Sequence, residues 1–133
     1  MLGWLVINFQ TNRRERRKEI RGLIDSTEKL IFEIEGAARI YYSLQSDDAE
    51  ALKLELDIKS FLRMLSLRLM SLEKFSKKFH ASEKLIDLRR VITGGDFESK
   101  ARVPKEATHR LYSEISDSVG SLVGFLNSSY WMV

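Results

Sequence analysis

The chain has no cysteine, which removes disulfides, thiolate nucleophiles and Cys-ligated zinc or iron–sulfur sites together. Proline occurs once, at Pro104, and glycine seven times in 133 residues. So few turn-formers argue against a sheet of short strands and favour long helices. Histidine occurs only at His80 and His109, and neither has the Glu-x-x-His or His-x-x-x-His spacing that builds a metal site on helices. No serine lies in a Gly-x-Ser-x-Gly elbow. Asp47, Asp48 and Glu50 crowd three carboxylates together, but helix capping accounts for them. These absences leave no catalytic residue, metal ligand or cofactor to name, and the chain reads as non-enzymatic. Charge is missing from both ends, with none before Arg13 and none from Ser118 to Val133.

What is present is a junction between an apolar run and a basic one, GWLVINFQTNRRERRKEIR from Gly3 to Arg21. Arg13, Arg14, Arg16, Arg17, Lys18 and Arg21 face only Glu15 and Glu19, a local charge of +4 in a chain whose net charge is +3. The basicity is therefore local. Positive charge follows the apolar core instead of preceding it, the order of a cytoplasmic exit and not of a secretory signal. Met1 to Asn12 would extend only about 18 Å as a helix, short of a ~30 Å hydrocarbon layer. Residues 1–12 are read as the cytoplasmic half of a longer span, a short interfacial anchor or the greasy end of a soluble bundle, and residues 13–133 as one helical domain. The first two readings make Trp4, Leu5 and Phe9 lipid contacts, with Arg13, Arg14, Arg16, Arg17 and Lys18 on anionic head groups.

Four helices follow from the apolar spacing. Ile20, Thr27, Ile34 and Tyr41 repeat every seven residues, Leu23, Leu30, Ala37 and Leu44 three later, and Ile24, Ile31 and Ala38 widen the stripe. That width suits a helix facing a bundle core better than a bare coiled coil. It predicts helix one from near Trp4 to about Gln45, with Gly36-Ala37-Ala38 admitting a close neighbour. Asp47 with Glu50 forms an Asp version of a capping box, opening helix two from about Asp48 to Phe79. Its stripe of Ala51, Leu54, Ile58, Phe61, Leu65, Leu72, Phe75 and Phe79 leaves Leu52, Leu56, Met64, Leu67 and Met70 outside. So broad an apolar arc predicts central burial, the alternative being a homodimer seam through helix two. Ser82 is read as the cap of a short helix three ending at Thr93, and Gly94-Gly95 as its stop with positive φ. Asp96 to Val103 is a loop. Pro104 opens helix four, with Glu106 in its first turn, Ala107, Leu111, Ile115, Val119, Leu122 and Leu126 along its stripe, and an end near Asn127-Ser128-Ser129.

Short links between helices predict an all-α, up-down four-helix bundle with a long first and a short third helix. The end of helix four then lies beside the start of helix one, adding Tyr130 and Trp131 to the lipid-facing set. Gly120 and Gly124 have the spacing for close helix approach, read here as tight packing within the bundle. Glu15 and Glu19 interrupt the basic face and no aromatic lies inside it, which argues against nucleic acid as the partner. Gly94-Gly95-Asp96-Phe97 resembles the GG(D/E)EF turn of diguanylate cyclases but lacks the glutamate before phenylalanine and any flanking strands, so it is read as helix stop and loop.

Trp-Leu-Val-Ile followed by Arg-Arg-Glu-Arg-Arg-Lys-Glu, within Gly3 to Asp25, resembles the cytoplasmic helical domains of small uncharacterised bacterial inner-membrane proteins. The resemblance implies a helical protein at the cytoplasmic face of the inner membrane and carries no activity across. Anionic lipid and a protein partner on the cytoplasmic side are the expected partners. A soluble oligomeric regulator touching nucleic acid through Arg13 to Arg21 is the alternative.

Overall fold

A computed structural model describes the backbone of residues 2–133 and the side chains of residues 12–133. It is all-helical: α1 Leu2–Ser43, α2 Ala49–Phe75, a 3-10 turn Lys77–Phe79, α3 Ser82–Thr93 and α4 Arg110–Tyr130. In α1 the heptad stripe is the buried face, with Ile20, Ile24, Thr27, Ile31, Ile34, Ala38 and Tyr41 almost wholly covered. Thr27 is tolerated there because its hydroxyl donates to the Leu23 carbonyl at 2.6 Å, leaving no unpaired polar atom. The closest helix pairs are α1 with α2, α3 with α4, and α1 with α4.

Neighbouring helices run in opposite directions. The Tyr41 hydroxyl near the end of α1 donates to Glu55 near the start of α2, while Arg16 reaches the Phe75 carbonyl at the other end. Arg39 meets Ser116 and Arg17 meets the Val133 backbone oxygen, which sets α4 antiparallel to α1. Lys84 at the start of α3 donates to Ser121 in the second half of α4. Buried side chains from all four helices form one apolar cluster.

Helix boundaries depart from the sequence expectations at five places. The N-cap of α2 is Asp48 and not Asp47: its backbone is extended and its carboxylate accepts from the Glu50 amide at 2.8 Å. Helix α2 stops at Phe75, because Ser76 is extended at φ −164° and its hydroxyl accepts from the Lys78 amide, restarting the chain as a 3-10 turn. Ser82 is the first residue of α3, preceded by Ala81, whose methyl is buried and can bond to nothing. Gly94 closes α3 at φ −84°, and the left-handed residue among those described is Glu98 at φ 67°. Glu98 is held there by its amide donating to the Tyr41 hydroxyl and by its carboxylate on Lys59 at 2.6 Å. Finally, Pro104 lies in the loop and α4 begins at Arg110, capped by His109 Nδ1, which accepts from the Leu111 amide. The Lys105 amide donates to the Tyr42 carbonyl at 2.8 Å, so the backbone after Pro104 is tied to the end of α1.

Two packing expectations also fail. The buried face of α2 is Ala51, Ile58, Leu62, Leu65, Leu69 and Leu72, while Leu52, Leu56, Met64, Leu67 and Met70 are exposed, so α2 is not central. It covers one side of α1 and turns the opposite side outward. A Cβ added at Gly36, Gly120 or Gly124 would meet open space, so none of these glycines serves close approach within the chain.

At the pole opposite the termini, Arg102 from the loop before α4 is 3% exposed and donates to the carbonyls of Tyr41 (3.1 Å) and Leu44 (2.7 Å). Its guanidinium lies 4.1 Å from the centre of the Tyr41 ring. A buried cation with no carboxylate in ion-pair reach among the described residues costs several kcal/mol to desolvate. Charge-assisted bonds to the negative end of α1 and the ring face offset that cost. Truncating Arg102 to alanine strands the Leu44 carbonyl and leaves the Tyr41 carbonyl with the Leu44 amide alone, and urea unfolding is expected to show a loss of about 1–3 kcal/mol. The shape-filling R102M is expected to recover only the packing part.

The Tyr42 hydroxyl is buried beneath the same loop and donates to the Ile92 carbonyl at the end of α3. Burial, and next the charge of Asp96, raise its pKa well above the ordinary value near 10. Burial and then the Glu55 hydrogen bond raise Tyr41 as well. A phenol with a raised folded pKa stabilises fully below its unfolded value, and that contribution is lost as pH climbs from about 10 through the folded value. The urea midpoint is therefore expected to fall above about pH 10. Y42F should flatten that slope while lowering stability at neutral pH.

Candidate functional site

The basic run divides when wound into a helix. At about 100° per residue, Arg13, Arg16 and Arg17 continue the core-facing stripe of Ile20 and Ile24, while Arg14 and Lys18 turn to the outside. The stripe thus changes from isoleucine to arginine at the level where α2 and α4 end. There Arg13, Arg16, Arg17 and Lys78 surround a cleft of about 280 Å³ whose floor is Ile20, Phe75, Met132 and Val133. No Asp or Glu side chain lines it.

Backbone oxygens hold three of the four cations in place. Arg16 donates to the Phe75 carbonyl, the last of α2, while Arg17 and Lys78 donate to the backbone oxygens of Val133 and Met132 just past α4. The Phe75 carbonyl is one that a helix leaves unpaired, and a cation suits the negative end of its dipole. Tyr130 lies against Arg17 and Arg21, their guanidinium carbons 4.7 and 5.3 Å from its ring centre. Arg21 is neutralised by Asp25 at 2.8 Å and donates to Asn127 at 2.9 Å. Beside the mouth, Trp131 is 77% and Met132 67% exposed.

Of the residues singled out from sequence, Arg13, Arg16 and Arg17 line the cleft, Tyr130 lies against Arg17, and Trp131 is exposed next to the lining residue Met132. Arg14 and Lys18 are exposed outside it. Trp4, Leu5 and Phe9 belong to the helical backbone of α1, and their side chains lie outside the described residues. Sequence reasoning missed Lys78 and Phe75. An antiparallel α2 was the available signal, because it returns Lys77-Lys78 to the level of Arg16.

The arrangement can present several hydrogen-bond donors and a net positive field to an anion beside an apolar surface. Ser76 is the hydroxyl residue among its lining side chains, and that hydroxyl already accepts from Lys78. Among the described residues no three His, Cys, Asp or Glu gather as a metal site, and no helix is long and apolar enough to cross a membrane. Fold and pole together define an all-α protein with a cationic terminal cleft. Comparison with protein-family models, curated proteins and solved structures found no match to this chain.

The four arginines should separate on mutation. R16A or R17A removes a donor to a backbone oxygen of a neighbouring element and is expected to cost about 1 kcal/mol in urea unfolding. R13A and R14A touch no such oxygen among the described residues and should stay within about 0.5 kcal/mol of the parent.

Proposed function

We propose that the chain is a non-enzymatic, membrane-proximal interaction module: an up-down four-helix bundle standing on the cytoplasmic face of the inner membrane. In this reading the terminal pole meets anionic lipid and the remaining surface recruits a protein partner. The observation that carries it is the cleft, in which Arg13, Arg16, Arg17 and Lys78 ring an apolar floor, with the exposed Trp131 next in sequence to the lining residue Met132. A phosphate head group with its first acyl carbons has that combination of charge and grease. Each Lys or Arg near an anionic surface contributes about 1 kcal/mol, so a handful of cations gives a reversible, salt-sensitive attachment. Tryptophan suits the interfacial depth at which ring and N–H are both satisfied.

Because Arg16 and Arg17 also brace backbone oxygens of neighbouring elements, the test uses the cations that do not. Flotation with phosphatidylserine-containing vesicles should recover the parent chain, and neutral phosphatidylcholine vesicles should recover far less. R13E/R14E/K18E is expected to bind at least about tenfold more weakly with its thermal melt unchanged. Equal recovery of parent and triple variant would remove the lipid role.

A further inference from the structure

The outward face of α2 carries a second surface, independent of the terminal pole. Leu52, Leu56, Leu67 and Met70 are 51%, 68%, 58% and 56% exposed. They fall within about 60° of one another on the helix and extend over roughly 27 Å. A stripe this long is at the upper end of what a monomer leaves in water, on the order of 500 Å². From the stripe and its flanks we infer that it is the seam of a symmetric antiparallel dimer, in which α2 of one copy packs on α2 of a second.

A two-fold contact must be self-complementary: if residue i meets residue j, then j meets i. The stripe satisfies this in sequence, since Leu52 with Met70, Leu56 with Leu67, and Ser60 with Arg63 have midpoints within half a residue of one another, at or just past Phe61. Packed antiparallel about that midpoint, apolar residues meet at both ends, and the polar pair at the centre fixes the register. Each Arg63 can lay its stem along the seam and put its guanidinium in rim water. Parallel packing would instead set Arg63 against its own copy, a direct like-charge contact.

Charge on the flank gives the same answer. Asp57 and Arg68 are both half-buried, and neither has an ion-pair partner among the described residues. Eleven residues apart, they lie within about 20° of each other, on the same side of the stripe. An antiparallel two-fold brings like flanks together, so Asp57 of each copy faces Arg68 of the other. The contact would bury on the order of 1,000 Å² in all, the lower bound for a specific interface, which suits a dimer in the micromolar range.

The absence of cysteine makes the test clean. Sedimentation from low to high micromolar concentration should show the parent passing from monomer to dimer, and L56D/L67D staying monomeric with an unchanged thermal melt. D57R or R68D alone should weaken self-association by at least about tenfold, and D57R/R68D in one chain should restore it. Under mild oxidation, a mixture of L52C and M70C should form a covalent dimer, while neither does so alone. A parent that is monomeric throughout, a double swap no better than its single variants, or L52C joining to itself would each overturn the inference. So would L56D/L67D abolishing vesicle flotation in a chain that remains monomeric, which would give the face to lipid. Loss of the dimer with flotation intact leaves the pole's lipid role standing, and the converse holds equally.

Discussion

A helix ends with carbonyls that no further turn will satisfy, and when that end is packed against other elements water cannot easily serve them. In this chain the first three α-helices pass that problem to a neighbour, while α4 closes locally, the Met132 and Val133 amides donating to the Ser129 and Tyr130 carbonyls. The loop before α4 brings Arg102 and the Lys105 amide to the end of α1, α1 brings Arg16 to the end of α2, and Tyr42 brings a hydroxyl to the end of α3. Past α4, Arg17 and Lys78 tie down the backbone oxygens of Val133 and Met132 that follow the helix. A glycine cap closes a helix locally and says nothing about its surroundings. A borrowed donor closes it only when the neighbouring element is in register, so these bonds couple secondary structure to tertiary packing.

That coupling changes how the basic run on α1 is understood. Arg13 to Arg21 could be a solvated face, a nucleic-acid patch or a lipid contact if charge alone is considered. The geometry adds a structural duty for two of its members and ties Arg21 into Asp25, Asn127 and the Tyr130 ring. The duties are compatible, because a guanidinium has five N–H donors and a single carbonyl occupies one or two of them. Holding Arg16 and Arg17 by their bonds to backbone oxygens fixes their side chains beforehand, so an anion entering the cleft would lose less entropy to ordering them. Arg13 carries charge without that duty.

Burial on α1 and α4 was legible because a stripe repeats over many turns and errors of one residue average out: Ile24, Ile31 and Ile34, or Ile115, Val119 and Leu122, could hardly face elsewhere. Boundaries were not, since each depends on one or two bonds made at a distance. Pro104 has the local chemistry of a helix start, but the backbone after it docks on Tyr42, more than sixty residues earlier, and α4 opens only at Arg110 behind the His109 cap. Gly94 has the local chemistry of a left-handed stop, yet the left-handed residue is Glu98, pinned from α1 and α2. The cleft was half legible. The uncharged ends and the arginines are visible in sequence, while Lys78 and Phe75 join them only through the antiparallel return of α2. For α2, periodicity showed how much of the helix is apolar and could not show which part faces α1.

The two proposed surfaces constrain one another. An antiparallel two-fold through α2 turns the second copy end over end, so the terminal poles of a dimer point in opposite directions, separated by roughly the 40 Å length of a 27-residue helix. If the axis of α1 stands upright on a flat membrane, one pole of each dimer meets lipid and the other is held out into the aqueous side, its four cations unneutralised. Such a dimer would bridge two anionic surfaces, or hold one surface and one acidic partner, where a monomer could hold only one. Dimerisation would then change what the pole can reach without altering any residue that lines it, and the concentration at which α2 pairs would set when that second cationic cleft becomes available.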